Sequence, residues 1–378
     1  QPYVRSNGRL RPASWDDAFA AIAAKFKETA ADRVAAIAGD QCDAESMFAL
    51  KSLMDAKGVK NLDCRQDGAA LATGGNASGW RFNTTIAGLE EADAILLIGS
   101  NPRWEAPLIN ARIRKRFLTG ELQVFGVGAP HDLSYQTDWV GAGPQTLSEI
   151  LAGKGAAAKA LKAASKPVII VGQGALARED GAAVLNLAGQ IAEKFGAIQD
   201  DFNGFNVLHT AAARVAGLDM GFLPGEGGRD MAGILAGAQA GEIDMVYLLG
   251  ADEFDTEALR ETFVVYQGHH GDAGASVADV ILPGSAYTEK NGLYVNTEGR
   301  VQTTRLATFA PGDAREDWTI LRALSGALGQ PLGFDDLEGL RQSLIQAAPH
   351  MGGIDQIVPV EWALPGAAGD LSDAPFEA

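Results

Sequence analysis

The stretch Asp93-Ala94-Ile95-Leu96-Leu97-Ile98-Gly99-Ser100-Asn101-Pro102 decides the fold. Five consecutive apolar residues are too short for a buried helix and fit a strand covered on both faces. The glycine and the Asn-Pro pair end it. Residues 107–118 open on Pro107 and carry Arg112, Arg114, Lys115 and Arg116, which predicts a basic helix. Residues 124–127 form a second apolar strand. Strand, helix and strand in this order predict parallel pairing through a crossover.

The same alternation extends both ways. Ser14, with Asp17 three residues on, caps a helix to about residue 28. Strands are expected at 34–37 and 61–64, with a helix over 44–56 between them. Residues 146–166 read as helical, 167–171 as a strand and 178–195 as a helix. Helices are expected over 207–217 and 231–240, and strands at 244–249, 263–266 and 280–283. Asn291-Gly292 is the strongest hairpin signal, and Glu298-Gly299 reads as a second turn in a meander over 288–308. A helix is expected over 316–328. The Gly/Ala/Asp/Pro-rich tail beyond Pro365 is expected to fray.

Composition narrows the function. The 378 residues carry 31 Lys+Arg against 48 Asp+Glu, a net charge of −17. Nucleic acid and anionic lipid both need a basic footprint, so neither is an expected partner. No run approaches 18 uncharged apolar residues, so direct membrane insertion is not expected. The two cysteines, Cys42 and Cys64, cannot supply the four ligands of an iron–sulfur cluster or a zinc ribbon. They read as reduced, buried thiols.

Four patterns are candidates for chemistry. Gly172-Gln173-Gly174-Ala175-Leu176-Ala177 follows a strand and opens a helix, as a dinucleotide-binding loop does. Asp200 and Asp201 lie further on than the ribose-binding acid should, and a structural turn is the favoured reading. His269-His270 would suit metal ligands, but on an extended backbone their side chains face opposite ways. No H-E-x-x-H pattern occurs. Asp279, Glu289, Lys290, Glu298 and Arg300 surround the expected hairpin and offer paired carboxylates; mutual ion pairing is the commoner arrangement. The basic helix, with Arg103 beside it, is either a solvated face or a docking surface for a subunit or an anionic cofactor.

Three long motifs resemble a known family. Residues 83–93, Asn-Thr-Thr-Ile-Ala-Gly-Leu-Glu-Glu-Ala-Asp, run into Ile98-Gly99-Ser100-Asn101-Pro102-Arg103-Trp104-Glu105-Ala106-Pro107. Tyr266-Gln267-Gly268-His269-His270-Gly271-Asp272 leads to Ala278-Asp279-Val280-Ile281-Leu282-Pro283-Gly284. Ala286-Tyr287-Thr288-Glu289-Lys290 continues to residues 294–302, Tyr-Val-Asn-Thr-Glu-Gly-Arg-Val-Gln. In this order they resemble the large iron–sulfur subunit of respiratory complex I, NADH–quinone oxidoreductase, of the alphaproteobacterial and mitochondrial type. The likeness runs from Gln1 to about residue 345. The A-D-x-x-L-P and E-G-R-x-Q elements are shared with molybdopterin oxidoreductases such as formate dehydrogenases.

The resemblance implies an α/β fold of two Rossmann-like parallel-sheet lobes, one inserted in the other. Residues 1–65 and 151–330 would form one lobe with a terminal β-hairpin, 66–150 the inserted lobe, and 331–378 a helix and tail. It implies a non-catalytic scaffold in the peripheral arm, on the cytoplasmic face of the bacterial inner membrane or the matrix side in mitochondria, with other complex I subunits as partners. The glycine loops at Gly99, Asn101, Gly172, Gly174 and Gly250, with His269 and His270, would be vestiges of cofactor architecture that bind none. Iron–sulfur clusters would lie N-terminal to Gln1, and FMN elsewhere in the complex. The alternative is a catalytic molybdopterin-dependent domain. A third reading, a free-standing nucleotide enzyme, would use the loop at Gly172.

Overall fold

A computed structural model describes residues 1–71 and 76–377. Among these residues the strands, in chain order, are β1 Tyr3–Ser6, β2 Arg9–Pro12, β3 Val34–Ala38, β4 Asn61–Asp63, β5 Ala94–Ile98, β6 Gln123–Val127 and β7 Asp138–Gly141. They continue as β8 Pro167–Val171, β9 Phe205–Val207, β10 Met245–Leu249, β11 Phe263–Gly268, β12 Val280–Pro283, β13 Gly292–Val295 and β14 Val301–Thr304. The chain forms two compact units. Unit 1 is Gln1–Gly68, Ala211–Asn296 and Arg300–Gln356; unit 2 is Ala69–Thr210, Thr297–Gly299 and Ile357–Ala378.

Unit 1 is built on a seven-stranded sheet of order β2-β1-β12-β11-β10-β3-β4. The strands from β12 to β4 are parallel, with Met245 opposite both Val34 and Phe263. Strand β1 adds an antiparallel edge against β12. All five residues of β3 and of β10 are buried, as strands with helices on both faces require. Ile37, Val246, Leu248 and Val264 pack with Ile234 of the helix Met231–Gln239. The helix Ala44–Lys57 starts at an Asp43 cap that accepts the Ser46 N–H, and ends at Gly58 in the left-handed region.

Unit 2 is built on a five-stranded, wholly parallel sheet of order β7-β6-β5-β8-β9. Ile95, Leu97, Val168 and Ile170 form its core with Ile109 and Ile113 of the helix Pro107–Phe117. No helix among the described residues is long and apolar enough to cross a membrane.

The expected α/β class of parallel-sheet units, one interrupting the other, is what the chain adopts. The boundaries differ. Residues 151–210, expected in the discontinuous lobe, belong to unit 2, because β8 pairs with β5 along five residues and β9 follows β8. Of the expected 331–378 segment, the helix Leu337–Ala347 belongs to unit 1 and the residues from Ile357 to unit 2.

Other expectations need correction. Val207, where a helix is expected to begin, instead ends strand β9, which pairs with β8; the helix starts only at Arg214. The two-residue hairpin turn is at Asn7-Gly8, both with positive φ, between β1 and β2. Asn291-Gly292 instead leads into β13, where Gly292 pairs with Thr304; a Cβ there would stand 2.9 Å from the Asp43 Cβ. The tail is not frayed. Pro365 O accepts from the Asn186 side chain, Ala367 N–H donates to Ala182 O, and Phe376 is buried.

Candidate functional site

In doubly wound sheets, ligands bind outside the strand carboxyl ends, where the strand order reverses. Each unit has one such place. In unit 1 it lies between β3 and β10, and in unit 2 between β5 and β8. Both are built the same way. In unit 1, Gly250 after β10 has φ 54, and a Cβ on Gly39 after β3 would lie 1.7 Å from the Gly250 carbonyl oxygen. In unit 2, Gly99 after β5 has φ 54, and a Cβ on Gly172 after β8 would lie 2.3 Å from the Gly99 oxygen. Glycine is needed in each pair, once for the left-handed backbone and once for the close approach.

What fills the two places differs. In unit 1 it is a buried ionic network. Lys290 Nζ lies 2.7 Å from Asp43 Oδ2 and 2.5 Å from Asp317 Oδ2, with all three side chains almost excluded from solvent. The other Asp43 oxygen accepts from the Ser46 N–H and hydroxyl. The Gln267 side chain donates to Asp317 Oδ1 at 2.9 Å, and the Tyr247 hydroxyl donates to Gln267 Oε1. Burial works against the Lys290 ammonium, but Asp317 and Asp43 outweigh it and hold its pKa well above the ordinary lysine value. Burial likewise opposes the Asp43 carboxylate; Lys290 and the Ser46 donors reverse this and lower its pKa.

Around this network Gly250, His269, Ser285 and Cys42 line a cavity of about 20 Å³. That is room for about one water, against the roughly 300–1,000 Å³ of a small-molecule pocket. The Ser285 hydroxyl is buried without a protein partner. Cys42 Sγ donates to Leu249 O, and burial pushes its thiol pKa up, which disfavours the nucleophilic thiolate. Cys64 is likewise pushed up to about 12 by burial.

A neighbouring carboxylate is perturbed as well. Glu45, fully buried, accepts from the Leu293 N–H at 2.7 Å and from Arg341 Nε at 2.8 Å. Burial, with the Asp43 charge added, raises its pKa to about 7 against those two donors.

In unit 2 the chain's own C-terminal segment crosses the crevice. A Cβ on Gly174 would stand 1.6 Å from the carbonyl oxygen of Glu377. Phe376 N–H donates to Ala142 O at 2.7 Å, and its side chain is 1% exposed. Arg178 donates to Pro375 O and Ala374 O and lies over the Phe376 ring at 5.1 Å. Asp180, paired with Arg178, accepts from the Ser372 N–H. A dinucleotide pyrophosphate would need the backbone face at Gly174 that Glu377 covers. Beside that segment Gly174, Arg178, Asp180, Ser372 and Glu377 line a cavity of about 410 Å³.

The remaining candidates separate. His269 and His270 follow β11 with rings 4.5 Å apart and edge-on, not on opposite faces of a strand. Burial, then the charge of His270, lowers the His269 pKa. Among the described residues no three His, Cys, Asp or Glu group as metal ligands. The expected carboxylates do not meet: Asp279 accepts from the Val264 N–H, Glu289 from Ala286 and Glu298 from Ile86. Asn101 caps no amide; its N–H donates to Glu105. On the basic helix, Arg112 and Lys115 engage Glu90, and Arg116 engages Glu121; Arg103 pairs with Asp132. Trp104 and Leu108 beside them are exposed.

Sequence reasoning singled out Lys290 but missed Asp43 and Asp317. Both stand at helix starts, where an acid reads as a cap, and nothing local tells that a lysine far along the chain converges on them.

Comparison with known proteins agrees with this architecture. The family model for molybdopterin oxidoreductase matches residues 1–327. The G subunit of the NADH-quinone oxidoreductase of Rickettsia felis is 42% identical over 362 residues, covering 96% of this chain and 52% of that protein. Its counterpart in Rickettsia bellii is 40% identical over 378 residues, covering 100% and 54%. The chain thus spans about half the length of the curated relatives it matches. Acetylene hydratase from Pelobacter acetylenicus has a similar fold, with TM-score 0.64 and 13% identity over 94% of this chain and 64% of that one. So has a chain of the formyltransferase/hydrolase complex from Methylorubrum extorquens, with TM-score 0.61 and 19% identity over 87% and 98%. With the family model covering most of its length and the fold shared, the chain belongs to the molybdopterin oxidoreductase family.

Proposed function

We propose that this chain is a non-catalytic scaffold portion of the large subunit of a proton-translocating NADH–quinone oxidoreductase. It supports the peripheral arm that passes electrons from NADH to quinone. The observation that carries the reading is the 40–42% identity to the two Rickettsia proteins along 96–100% of the chain. Two features of the molecule favour a scaffold over a catalyst: an ionic network tightened around a one-water cavity in unit 1, and a glycine loop covered by the chain's own segment in unit 2.

On this reading the iron–sulfur clusters belong to other parts of the full-length subunit, and FMN to the complex. Cys42 and Cys64 are unsuited to cluster ligation, being buried with raised pKa. The partners are neighbouring peripheral-arm subunits, at the cytoplasmic face of a bacterial inner membrane or the matrix side of a mitochondrial one. The exposed Trp104 and Leu108 beside the basic helix are one surface offered to them. An aromatic of that exposure is the residue type that anchors interfaces.

The test is purification of the tagged protein from detergent-solubilised membranes. Iron, flavin and further subunits should co-elute with NADH–quinone reductase activity, and Trp104→Ala should loosen that association while leaving the melting temperature within about 2 °C. A chain recovered alone, or one carrying stoichiometric molybdenum or tungsten, contradicts the reading.

A further inference from the structure

The segment Ser372–Glu377 of unit 2 has contacts that none of its neighbours along the tail share. It lies across the carboxyl ends of β5, β6 and β8, where Gly99, Gly128 and Gly172-Gln173-Gly174 bring bare backbone to the surface of the sheet. Its hold is of two kinds. One is a single buried apolar side chain, Phe376, whose Cβ would lie 3.7 Å from a Cβ on Gly128. The other is a set of polar contacts around its backbone: Arg178 to Ala374 O and Pro375 O, Asp180 to the Ser372 N–H, and Ala142 O to the Phe376 N–H. Gln145 adds a bond to the exposed Asp373 side chain.

Such a hold is weaker than the sheet beneath it. Strands β5 and β8 are buried at every residue and pair along their whole length. The segment joins no ladder and buries one large side chain. Regions with few buried apolar contacts open below the global unfolding free energy. The sheet's glycine turns do not depend on the segment either. Gly172 N–H donates to Ile98 O and Gly99 N–H to Val127 O, all within the sheet.

We propose that Ser372–Glu377 is a detachable strap that closes the unit 2 crevice. The crevice is preformed under it, and release of the strap, with Arg178 as its latch, uncovers the backbone face at Gly174 without rearranging the sheet. The strap lies over the place where the strand order reverses, so whatever reaches the backbone at Gly174 must first displace the chain's own peptide.

Native-state hydrogen exchange of the full chain, read by mass spectrometry, tests this. Peptides covering 372–377 should exchange as one unit, slower than an unstructured peptide and faster than β5 and β8. Arg178→Ala should speed that exchange at least tenfold, expose residues 173–177, and leave β5 and β8 unchanged. Phe376→Ala, which leaves the Arg178–Asp180 pair and the bonds of Arg178 to Ala374 O and Pro375 O in place, should do the same. The proposal is overturned if the strap exchanges at unstructured rates in the unaltered protein, or only together with the strands. It is equally overturned if either substitution leaves the strap's exchange unchanged or loosens the whole sheet.

Discussion

The two units share one device and finish it differently. Each ends its central parallel strands with a glycine in the left-handed region and a second glycine pressed on its carbonyl, Gly250 with Gly39 and Gly99 with Gly172. Unit 1 then closes the place with charge, Lys290 between Asp43 and Asp317. Unit 2 closes it with a peptide, Phe376 and Glu377. A sheet crevice is thus a property of the fold, while its use is a property of what sits in it. The ionic closure is part of the core and stands or falls with unit 1. The peptide closure is laid over a sheet that is already complete.

Substitutions separate these cases. The largest effect is expected for Lys290→Met, which leaves two buried carboxylates facing each other. Removing one partner of a buried ion pair costs about 3–5 kcal/mol. Urea unfolding should show the unfolding free energy fall by that amount; a loss below about 1 kcal/mol would mean that the network is hydrated and the closure of unit 1 loose.

Gly39→Ala and Gly172→Ala come next. Each added methyl meets a backbone oxygen well inside contact distance, so each should cost about 1–3 kcal/mol or more, by the same assay. Equal losses would support a shared device, and a neutral result at either glycine would break the parallel between the units.

Glu45 supplies the pH dependence. Its folded pKa, about 7, stands above the ordinary 4.5. Between those values the folded state holds a proton that the unfolded state has lost. Its contribution to stability is therefore full below pH 4.5 and falls as pH rises towards 7. Glu45→Gln should flatten that part of the stability profile, measured as melting temperature against pH. An unchanged slope would place the ionisation elsewhere.

The smallest effect belongs to the surface. Arg112→Ala, which loses a partly exposed pair with Glu90, should change stability by less than about 1 kcal/mol.

These contrasts also show what was legible in advance. The strand at Ala94–Ile98 and the glycines after it, the basic helix and the Ser14 cap were readable because each depends on local periodicity or one local bond. Asn-Gly was readable as a turn signal but not as to place. Asn7-Gly8 makes the hairpin, whereas Gly292 serves the approach of Asp43, a demand set by distant chain. The Gly172 loop carried a nucleotide-like pattern, and only the course of the tail explains its closure: a Gly/Pro-rich segment reads as frayed until Phe376 is seen buried and latched by Arg178. The unit boundary was misjudged at residue 150 because nothing in β8 itself says which sheet it joins; pairing with β5 decides that. Asp43 and Asp317 were invisible for the same reason, their partner being contributed from elsewhere in unit 1.

The proposed role is that of a scaffold in an NADH–quinone oxidoreductase, with no molybdenum chemistry of its own. Elemental analysis of the purified native complex tests it most directly. A scaffold in that complex should show iron in many-fold excess over protein, with molybdenum and tungsten far below one atom per chain. One atom of either metal per chain would contradict it.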